Sequence, residues 1–261
     1  MPDPKHPFFT SPGPRVLAHR GLVTPGAAAQ GMAENSFAAV AAAHAAGIAY
    51  VESDCHLTSD GVVVLFHDAD LSRVTGDPRM VADVSLVELA TLMESRGGLI
   101  TLEQALESFP TLHFNLDVKV ASAAAAVGGQ IAEHGARVLV TSFSDSHRKQ
   151  ALDAAARAGG DVTPATSAGT GTIARLLAAL PLRSSRLTRR VLAGVHALQV
   201  PERHGRLRVL TPRLIAAAHD ADVEVHVWTV NDPADMQRLI AMGVDGIVTD
   251  RADVARDVLS P

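Results

Sequence analysis

Apolar, β-rich runs alternate along the chain with alanine-rich stretches of helical periodicity. The apolar runs lie at 15–18, 48–54, 113–120, 137–143, 161–166, 195–200, 223–230 and 246–250. A helical stretch follows each run, as over 36–46, where Gly47 supplies the residue type that commonly ends a helix. Strands that alternate with helices of about 10–15 residues predict a parallel sheet.

Eight such strand-and-helix units in one chain predict a closed (β/α)8 TIM barrel that forms a single domain. The barrel is expected over 15–261, after a proline-rich, extended lead-in at 1–14. A further extended run at 62–68 belongs to an excursion at about 57–100 that follows the second strand. The alternative, an open doubly wound sheet, requires a G-x-G-x-x-G turn after its first strand, and the glycines of 21–31 lack that spacing.

Composition narrows the class of protein. Hydrophobic residues make up 47% of the chain and charged residues 20%, so a large core can form and disorder is not expected. The formal net charge of −5 argues against nucleic acid as a partner. Cys55 is the single cysteine, no apolar run has the length of a membrane span, and the first residues lack the apolar region of a signal peptide. A cytoplasmic protein without stable membrane insertion is therefore expected.

Polar residues gather where the predicted strands end. In a parallel barrel, the carboxyl ends of the strands and the loops after them form the active face. His19 and Arg20 end the first strand, and His67 ends the extended run of the excursion. Because side chains alternate between the faces of a strand, Glu52 and Asp54 share one face. Asp117 and Lys119 share a face of the next strand in the same way.

These residue types together indicate cleavage of a phosphodiester. The carboxylates of Glu52, Asp54 and Asp117 are hard oxygen ligands, which suit a divalent cation such as Mg²⁺ or Ca²⁺. Arg20 offers a planar fork for a phosphate, and Lys119 adds a point charge. Imidazole titrates near neutral pH, so two histidines can act as general base and general acid.

The same residues stand in a familiar order. "AHRG" (18–21), "ENSFAAV" (34–40) and "YVESDCHLTSDGVVVLFHDADLSRVTG" (50–76) resemble the glycerophosphodiester phosphodiesterase family, of the phospholipase C-like phosphodiesterase superfamily. The likeness continues through "LDVK" (116–119), "VWTVND" (227–232) and "GVDGIVTD" (243–250), and so covers nearly the whole chain after residue 14.

The resemblance implies a (β/α)8 barrel, a divalent cation, and hydrolysis of glycerophosphodiesters to glycerol 3-phosphate and an alcohol. It also assigns roles to individual positions. By this resemblance the catalytic residues are His19, His67 and Arg20, the substrate-binding residues are Glu34, Lys119 and Trp228, and the metal ligands are Glu52, Asp54 and Asp117.

Asp117 departs from the family pattern, which usually has glutamate at this position. The shorter side chain withdraws the carboxylate by about 1.5 Å, roughly one C–C bond. Direct coordination of the cation by Asp117 and coordination through a bridging water are both open.

Two alternative functions are compatible with the same barrel. One is a phospholipase C-like or sphingomyelinase D-like lipid phosphodiesterase; the other is a catalytically silent barrel that binds phosphodiesters. A silent barrel would be expected to have lost a histidine or a carboxylate, and none is lost here. The expected partner is a small glycerophosphodiester, with no nucleic acid, and nothing in the sequence indicates an oligomeric state. After the sixth strand, Arg203, His204 and Arg206 are placed to reach the alcohol of the substrate.

Overall fold

The computed structural model describes residues 6–9 and 13–259. The strands of these residues are β1 (Arg15–His19), β2 (Tyr50–Leu57), β3 (Val63–Leu65), β4 (His113–Val118), β5 (Val138–Thr141), β6 (Ala165–Thr166), β7 (Ala197–Val200), β8 (Arg203–His204), β9 (Leu207–Arg208), β10 (Glu224–Val227) and β11 (Gly246–Thr249). Eight of them are parallel and form a ring in the order β1-β2-β4-β5-β6-β7-β10-β11, and a bridge between Ser167 and Ala197 joins its two ends. The predicted (β/α)8 barrel is thereby confirmed.

Helices surround the ring and cover its outer face. They are α1 (Pro25–Ala29), α2 (Phe37–Ala45), α3 (Ser72–Thr75), α4 (Leu86–Met93), α5 (Leu102–Ser108), α6 (Ala121–Ile131), α7 (Asp145–Ala158), α8 (Thr170–Ala179), α9 (Ser185–Val191), α10 (Pro212–His219), α11 (Pro233–Ala241) and α12 (Ala252–Leu259). Among the described residues, no helix is long and apolar enough to cross a membrane.

The register of the strands brings polar residues to a common level. His19 of β1 lies opposite Glu52 of β2, and Asp54 lies opposite Asp117 of β4. Because alternate residues of each strand point into the barrel, these side chains enter the same end of its interior. Cys55, which follows Asp54 on β2, is buried among the apolar residues outside the ring.

Small residues let helices pack closely around the ring. In α6, Gly128 is buried against α7, where a Cβ atom on Gly128 would overlap the Ala151 carbonyl oxygen and lie 2.6 Å from the Ala154 Cβ. The adjacent Gly129 has nothing within 4 Å of the same position. The backbones of α6 and α7 are therefore in close contact at Gly128.

The amino-terminal end of the barrel is closed by aromatic side chains. Pro7–Phe9 form a short 3-10 helix, and Phe8 and Phe9 are buried with inward-facing barrel residues such as Leu17. The prediction of an extended lead-in is wrong for these three residues. They form a helical turn because this conformation buries two aromatic side chains in the apolar end of the barrel. Residues 1–5 and 10–12 of the predicted lead-in lie outside the described residues. The predicted domain boundaries remain predictions.

An ion pair lies in the same end of the barrel. The Arg15 guanidinium donates to both carboxylate oxygens of Glu224, with Nε–Oε2 and Nη2–Oε1 distances of 2.8 and 2.7 Å. It also donates to the Tyr50 hydroxyl and the Phe9 carbonyl oxygen at 3.1 and 2.8 Å. Burial opposes ionisation of Glu224, but the bonds from Arg15 and His226 lower the pKa of Glu224 to about 2.

Two predicted extended runs yield strands of only two and three residues. The run at 161–166 yields only the two-residue β6, because Pro164 has no N–H to donate to a neighbouring strand. The run at 62–68 yields β3, which pairs antiparallel with the end of β2 and lies outside the ring. Beyond β3, the chain turns back toward the barrel mouth and so delivers His67 to it.

Candidate active site

His19 is the last residue of β1 and is held by a carboxylate. Its Nδ1 lies 2.6 Å from Asp250 Oδ1, in the loop after the neighbouring β11. An ionised carboxylate only accepts hydrogen bonds, so His19 Nδ1–H donates and Nε2 is left for the cavity, 3.9 Å from Glu52 Oε2. The hydrogen bond from His19 lowers the pKa of Asp250, and the hydrogen bond from Asn231 has a smaller effect in the same direction.

Two residues near the end of β1 have a left-handed backbone conformation: one follows the strand directly, and the other is hydrogen-bonded to it. Arg20 and Asn35 have φ angles of +59° and +53°, a region that is costly for residues other than glycine. The Arg20 N–H donates to the Glu52 carbonyl oxygen at 2.8 Å, and the Asn35 N–H donates to the Arg20 carbonyl oxygen at 2.8 Å. These bonds hold the strained turn and fix where the Arg20 side chain begins.

The Arg20 guanidinium lies between two carboxylates. Its Nη1 donates to Glu34 Oε1 at 2.6 Å, and its Nε lies 3.3 Å from Asp54 Oδ2. Asp54 Oδ2 also accepts from Asn35 Nδ2 at 2.9 Å. The Arg20 side chain is therefore oriented by other residues of the protein itself.

Three buried carboxylates and one ammonium group form a cluster at this end of the barrel. Lys119 Nζ lies 2.8 Å from Asp54 Oδ1 and 2.6 Å from Asp117 Oδ2. Glu52 completes the cluster from β2 and is 8% exposed. The excess of negative charge indicates that this cluster is suited to a further cation.

The environment of each carboxylate moves its pKa in a different direction. Burial, together with the charges of Asp54 and Asp117, raises the pKa of Glu52 well above its usual range. Burial also works to raise the pKa of Asp54, but Lys119 and Arg20 bring it below the ordinary value. Burial dominates at Asp117 and raises its pKa despite Lys119. Glu52 is thus the carboxylate of the cluster that most lacks a positive partner.

His67 also has a carboxylate partner, and this pair is anchored to Arg20. His67 Nδ1 lies 2.6 Å from Asp68 Oδ1, while Asp68 Oδ2 accepts from Arg73 Nε at 2.6 Å. Arg73 Nη2 donates in turn to Glu34 Oε1 at 2.7 Å, the oxygen that also accepts from Arg20. One chain of ion pairs therefore links the excursion to the end of β1.

The two histidines line one cavity of about 440 Å³ at the carboxyl end of the barrel. Phe143, after β5, and Trp228, after β10, also line it, with ring centroids 5.9 Å apart. The ammonium group of Lys119 lies 5.8 Å from the Phe143 ring centroid. The volume falls within the range of about 300–1,000 Å³ that small-molecule sites occupy.

The structure brings nearly all of the predicted site residues to this cavity. Those that line it are His19, Arg20, Glu52, Asp54, His67, Asp117, Lys119 and Trp228. Glu34 is not among the residues that line it, and its carboxylate accepts hydrogen bonds from Arg20 and Arg73. Leu207 and His204 of the β8–β9 hairpin line the far side of the cavity.

Sequence reasoning missed several residues of the site. Asp250 and Asn35 hold His19 and Asp54, and Arg73 binds Asp68. Asp250 ends the eighth predicted strand, and a strand-end position was the available signal. No comparable signal marked Arg73, whose contacts depend on how the excursion folds back.

The donor chemistry of the cluster fits a divalent cation, although no ready-made metal site is formed. Over residues 6–9 and 13–259, no three His, Cys, Asp or Glu side chains are arranged to hold an ion. Within the same residues, however, Glu52 Oε2 and Asp117 Oδ1 are buried oxygens without a hydrogen-bond partner. Unpaired buried carboxylate oxygens are costly, and a hard cation satisfies them.

The sequence model of the glycerophosphoryl diester phosphodiesterase family matches residues 19–254. The chain belongs to this family. It is 36% identical over 255 residues to the "Probable glycerophosphodiester phosphodiesterase 2" of Mycobacterium tuberculosis, covering 97% of this chain and 93% of that relative. This family membership confirms the predicted class of enzyme, a phosphoric diester hydrolase, and supports activity on glycerophosphodiesters.

Solved structures of the family share the fold. The glycerophosphodiester phosphodiesterase of Thermotoga maritima aligns with a TM-score of 0.69 at 24% identity, covering 95% of this chain and 99% of that one. An Oleispira antarctica phosphodiesterase, solved in complex with the product sn-glycerol-3-phosphate, aligns with a TM-score of 0.69 at 23% identity, covering 94% and 96%. The glycerophosphoryl diester phosphodiesterase barrel is therefore retained at low sequence identity.

Proposed function

We propose that the protein hydrolyses glycerophosphodiesters to glycerol 3-phosphate and an alcohol, with His19 and His67 as the acid–base pair. The observation that carries this proposal is the placement of two imidazoles, each oriented by its own carboxylate, on one cavity with Arg20 and Lys119. The product named for the Oleispira antarctica relative supports glycerol 3-phosphate as the product here.

The proposed reaction needs one proton taken up and one released. The oxygen of a water molecule attacks phosphorus while one histidine accepts its proton. The bond from phosphorus to the alcohol oxygen breaks, and the other histidine protonates the leaving alkoxide. Each transfer is expected to contribute about 10²–10⁴-fold to the rate. Asp250 and Asp68 keep each Nδ1 occupied, so that the Nε2 atoms are the ones that exchange protons.

Positive side chains bind the phosphoryl group. Arg20 offers a fork already oriented by Glu34 and Asp54, and Lys119 adds its charge beside the cavity. Preorganised donors of this kind stabilise the charge that develops on phosphoryl oxygens in the transition state.

We also propose that a divalent cation completes the site, with Glu52, Asp54 and Asp117 as the residues that hold it. The unpaired oxygens of Glu52 and Asp117 support this assignment, whereas Asp54 is already engaged by Lys119 and Asn35. When bound, such a cation polarises a phosphoryl oxygen as a Lewis acid.

The test is product release from glycerophosphocholine and from bis(p-nitrophenyl) phosphate, in Mg²⁺ or Ca²⁺ and in EDTA. We expect glycerol 3-phosphate from the first substrate, with activity that EDTA removes and either cation restores. Silence toward both diesters with either cation would instead support a barrel that only binds phosphodiesters. Full activity in EDTA would exclude the proposed cation.

A further inference from the structure

Arg73 holds two carboxylates of the site at once. It lies in α3, which belongs to the excursion after β2. Its Nε donates to Asp68 Oδ2 at 2.6 Å, and its Nη2 donates to Glu34 Oε1 at 2.7 Å. A planar guanidinium presents separate donors to two carboxylates, whereas the ammonium group of a lysine is a point charge. The arrangement therefore depends on the donor geometry of arginine.

Each of these carboxylates also holds a residue that lines the cavity. Asp68 Oδ1 lies 2.6 Å from His67 Nδ1, and Glu34 Oε1 accepts from Arg20 Nη1 at 2.6 Å. His67 is the proposed carrier of a proton, and Arg20 is the proposed ligand of the phosphoryl group. Arg73 therefore connects the two functions through one carboxylate each.

The Arg73 side chain is placed to act through its neighbours. Among the described residues, those that line the cavity do not include Arg73. Its side chain is 51% exposed, and ion pairs between exposed side chains typically stabilise a fold by only about 0–1 kcal/mol. The main consequence of its two short bonds is therefore the orientation of Asp68 and Glu34.

The orientation of Asp68 decides which nitrogen of His67 reaches the substrate. Burial works to raise the pKa of Asp68, but the hydrogen bonds from Arg73 and His67 bring it below the ordinary value. The ionised carboxylate only accepts hydrogen bonds, so the His67 proton stays on Nδ1 and Nε2 is left for the cavity. Without Arg73, the carboxylate loses the bond that fixes its Oδ2 atom. The ring is then free to rotate and to carry its proton on either nitrogen.

We propose that Arg73 is a positioning residue, which orients His67 through Asp68 and Arg20 through Glu34. This inference rests on the proposed function, since it concerns the same proton transfer and the same phosphate contact. A displacement of about 1 Å at a reacting group can cost about 10²-fold in rate, so the loss of such a support is measurable. Loss of the bond to Asp68 should lower kcat, and loss of the bond to Glu34 should raise KM.

The excursion contains a second arginine that serves as a matched control. Arg79 also donates to two carboxylates, with Nη2–Asp77 Oδ2 and Nη1–Glu88 Oε1 distances of 2.7 and 2.9 Å. Its side chain is 43% exposed, which is close to the value for Arg73. Over the described residues, the lining of the cavity includes neither Asp77 nor Glu88. Arg79→Ala therefore removes an equivalent pair of bonds away from the cavity.

The first experiment compares Arg73→Ala with Arg79→Ala in steady-state hydrolysis of glycerophosphocholine. We expect Arg73→Ala to lower kcat/KM by about 10–100-fold, with a lower kcat and a higher KM, and Arg79→Ala to stay within about twofold of the parent protein. Circular dichroism melts should give the two variants similar midpoints. An Arg73→Ala variant with parental kcat and KM would overturn the proposal, and so would equal losses of activity in the two variants.

A cycle of double variants separates positioning from direct contact with the substrate. If Arg73 orients His67 through Asp68, Arg73→Ala should lower kcat much less in the Asp68→Asn background than in the parent protein, because residues of one network are not additive. The same fold-change in kcat in both backgrounds would show that Arg73 does not act through Asp68.

The last experiment measures the orientation of His67 without turnover. Nitrogen NMR spectra of histidine-labelled protein distinguish a protonated from an unprotonated ring nitrogen, and comparison with His67→Ala assigns the signals of His67. We expect the neutral ring to carry its proton on Nδ1 in the parent protein and in Arg79→Ala, and to be a mixture of both tautomers in Arg73→Ala. An unchanged tautomer in Arg73→Ala would overturn the inference and leave the proposed function intact. If no diester is hydrolysed, the proposed function fails, and these spectra still decide whether Arg73 positions His67.

Discussion

At the scale of single residues, the site combines two histidine–carboxylate pairs that come from unrelated parts of the chain. Asp250 holds His19 from the neighbouring strand end, whereas Asp68 holds His67 from the next position in sequence. Burial works to raise the pKa of Asp68, but the bonds from Arg73 and His67 lower it, so this carboxylate is ionised and accepts from the ring. Both pairs leave an Nε2 atom available to the substrate.

Replacing either histidine should remove turnover and leave the fold intact. We expect His19→Ala and His67→Ala each to lower kcat on glycerophosphocholine by about 10²–10⁴-fold, because each removes one proton transfer. Steady-state rates and circular dichroism melts measure the two effects. The matched control is His44→Ala, which alters a histidine on α2 that contacts Thr111 far from the cavity. A variant that keeps near-normal kcat would take its histidine out of the mechanism.

The carboxylates should differ in their importance for the cation. Glu52→Gln is expected to raise the metal concentration needed for half-maximal activity more than Asp117→Asn does. The shorter Asp117 is already paired with Lys119 at 2.6 Å, whereas the ion pair that the described residues give Glu52 is with His19 at 3.9 Å. Metal titrations of activity compare the two variants. The reverse order would show that the ligands were ranked wrongly.

The sequence predicts the residues that line this site better than it predicts the residues that hold them in place. Motif order located His19, His67 and the carboxylates, because each lies in a short sequence motif on or just after a strand. Arg73 was not predicted, since its bonds to Asp68 and Glu34 arise only when the excursion folds across the mouth. No local sequence pattern predicts contacts between segments that are distant in sequence.

At the scale of elements, close helix packing depends on residues without side-chain bulk. The contact between α6 and α7 is built around Gly128, which faces the backbone of α7.

Periodicity predicted all eight barrel strands but overestimated most of their lengths. β6, for example, keeps the last two of six predicted residues, because Pro164 before them has no N–H to donate to a neighbouring strand. The length of a strand therefore depends on backbone pairing as well as on the apolar pattern.

Adjacent glycines of α6 offer a matched pair of substitutions. Gly128→Ala should lower the free energy of unfolding by about 1–3 kcal/mol, because its Cβ would overlap the Ala151 carbonyl oxygen and push α6 from α7. Gly129→Ala should raise it by about 0.5–1 kcal/mol, since the space there is open and alanine favours a helix. Urea denaturation of both variants measures the difference. Equal changes in the free energy of unfolding would show that α6 and α7 can move apart without loss of stability.

At the scale of the whole molecule, the two ends of the barrel have different tasks. The carboxyl end is open and carries charged groups around a cavity, whereas the amino end is filled by Phe8, Phe9 and the Arg15–Glu224 pair. A buried ion pair is costly to break because one charge is left without its partner. The free energy of unfolding should therefore fall at acidic pH, as the carboxylate of this ion pair is protonated.

The acid dependence of unfolding should carry the signature of Glu224. Its pKa falls from an ordinary 4.5 to about 2 in the folded protein, so its stabilising contribution is complete above pH 4.5 and is lost as the pH falls toward 2. We expect Glu224→Gln to lower the free energy of unfolding by about 2–3 kcal/mol at pH 7 and by progressively less below pH 4.5. Urea denaturation of parent and variant from pH 7 to pH 3 gives the difference. A difference that stays constant over this range would contradict the assigned ion pair.

The aromatic plug formed by Phe8 and Phe9 also decides how the molecule can be attached to a support. His6, just before these two residues, lies at the amino-terminal end of the barrel, opposite the cavity. Enzyme immobilised on beads from this end should therefore turn over diesters at the rate seen free in solution.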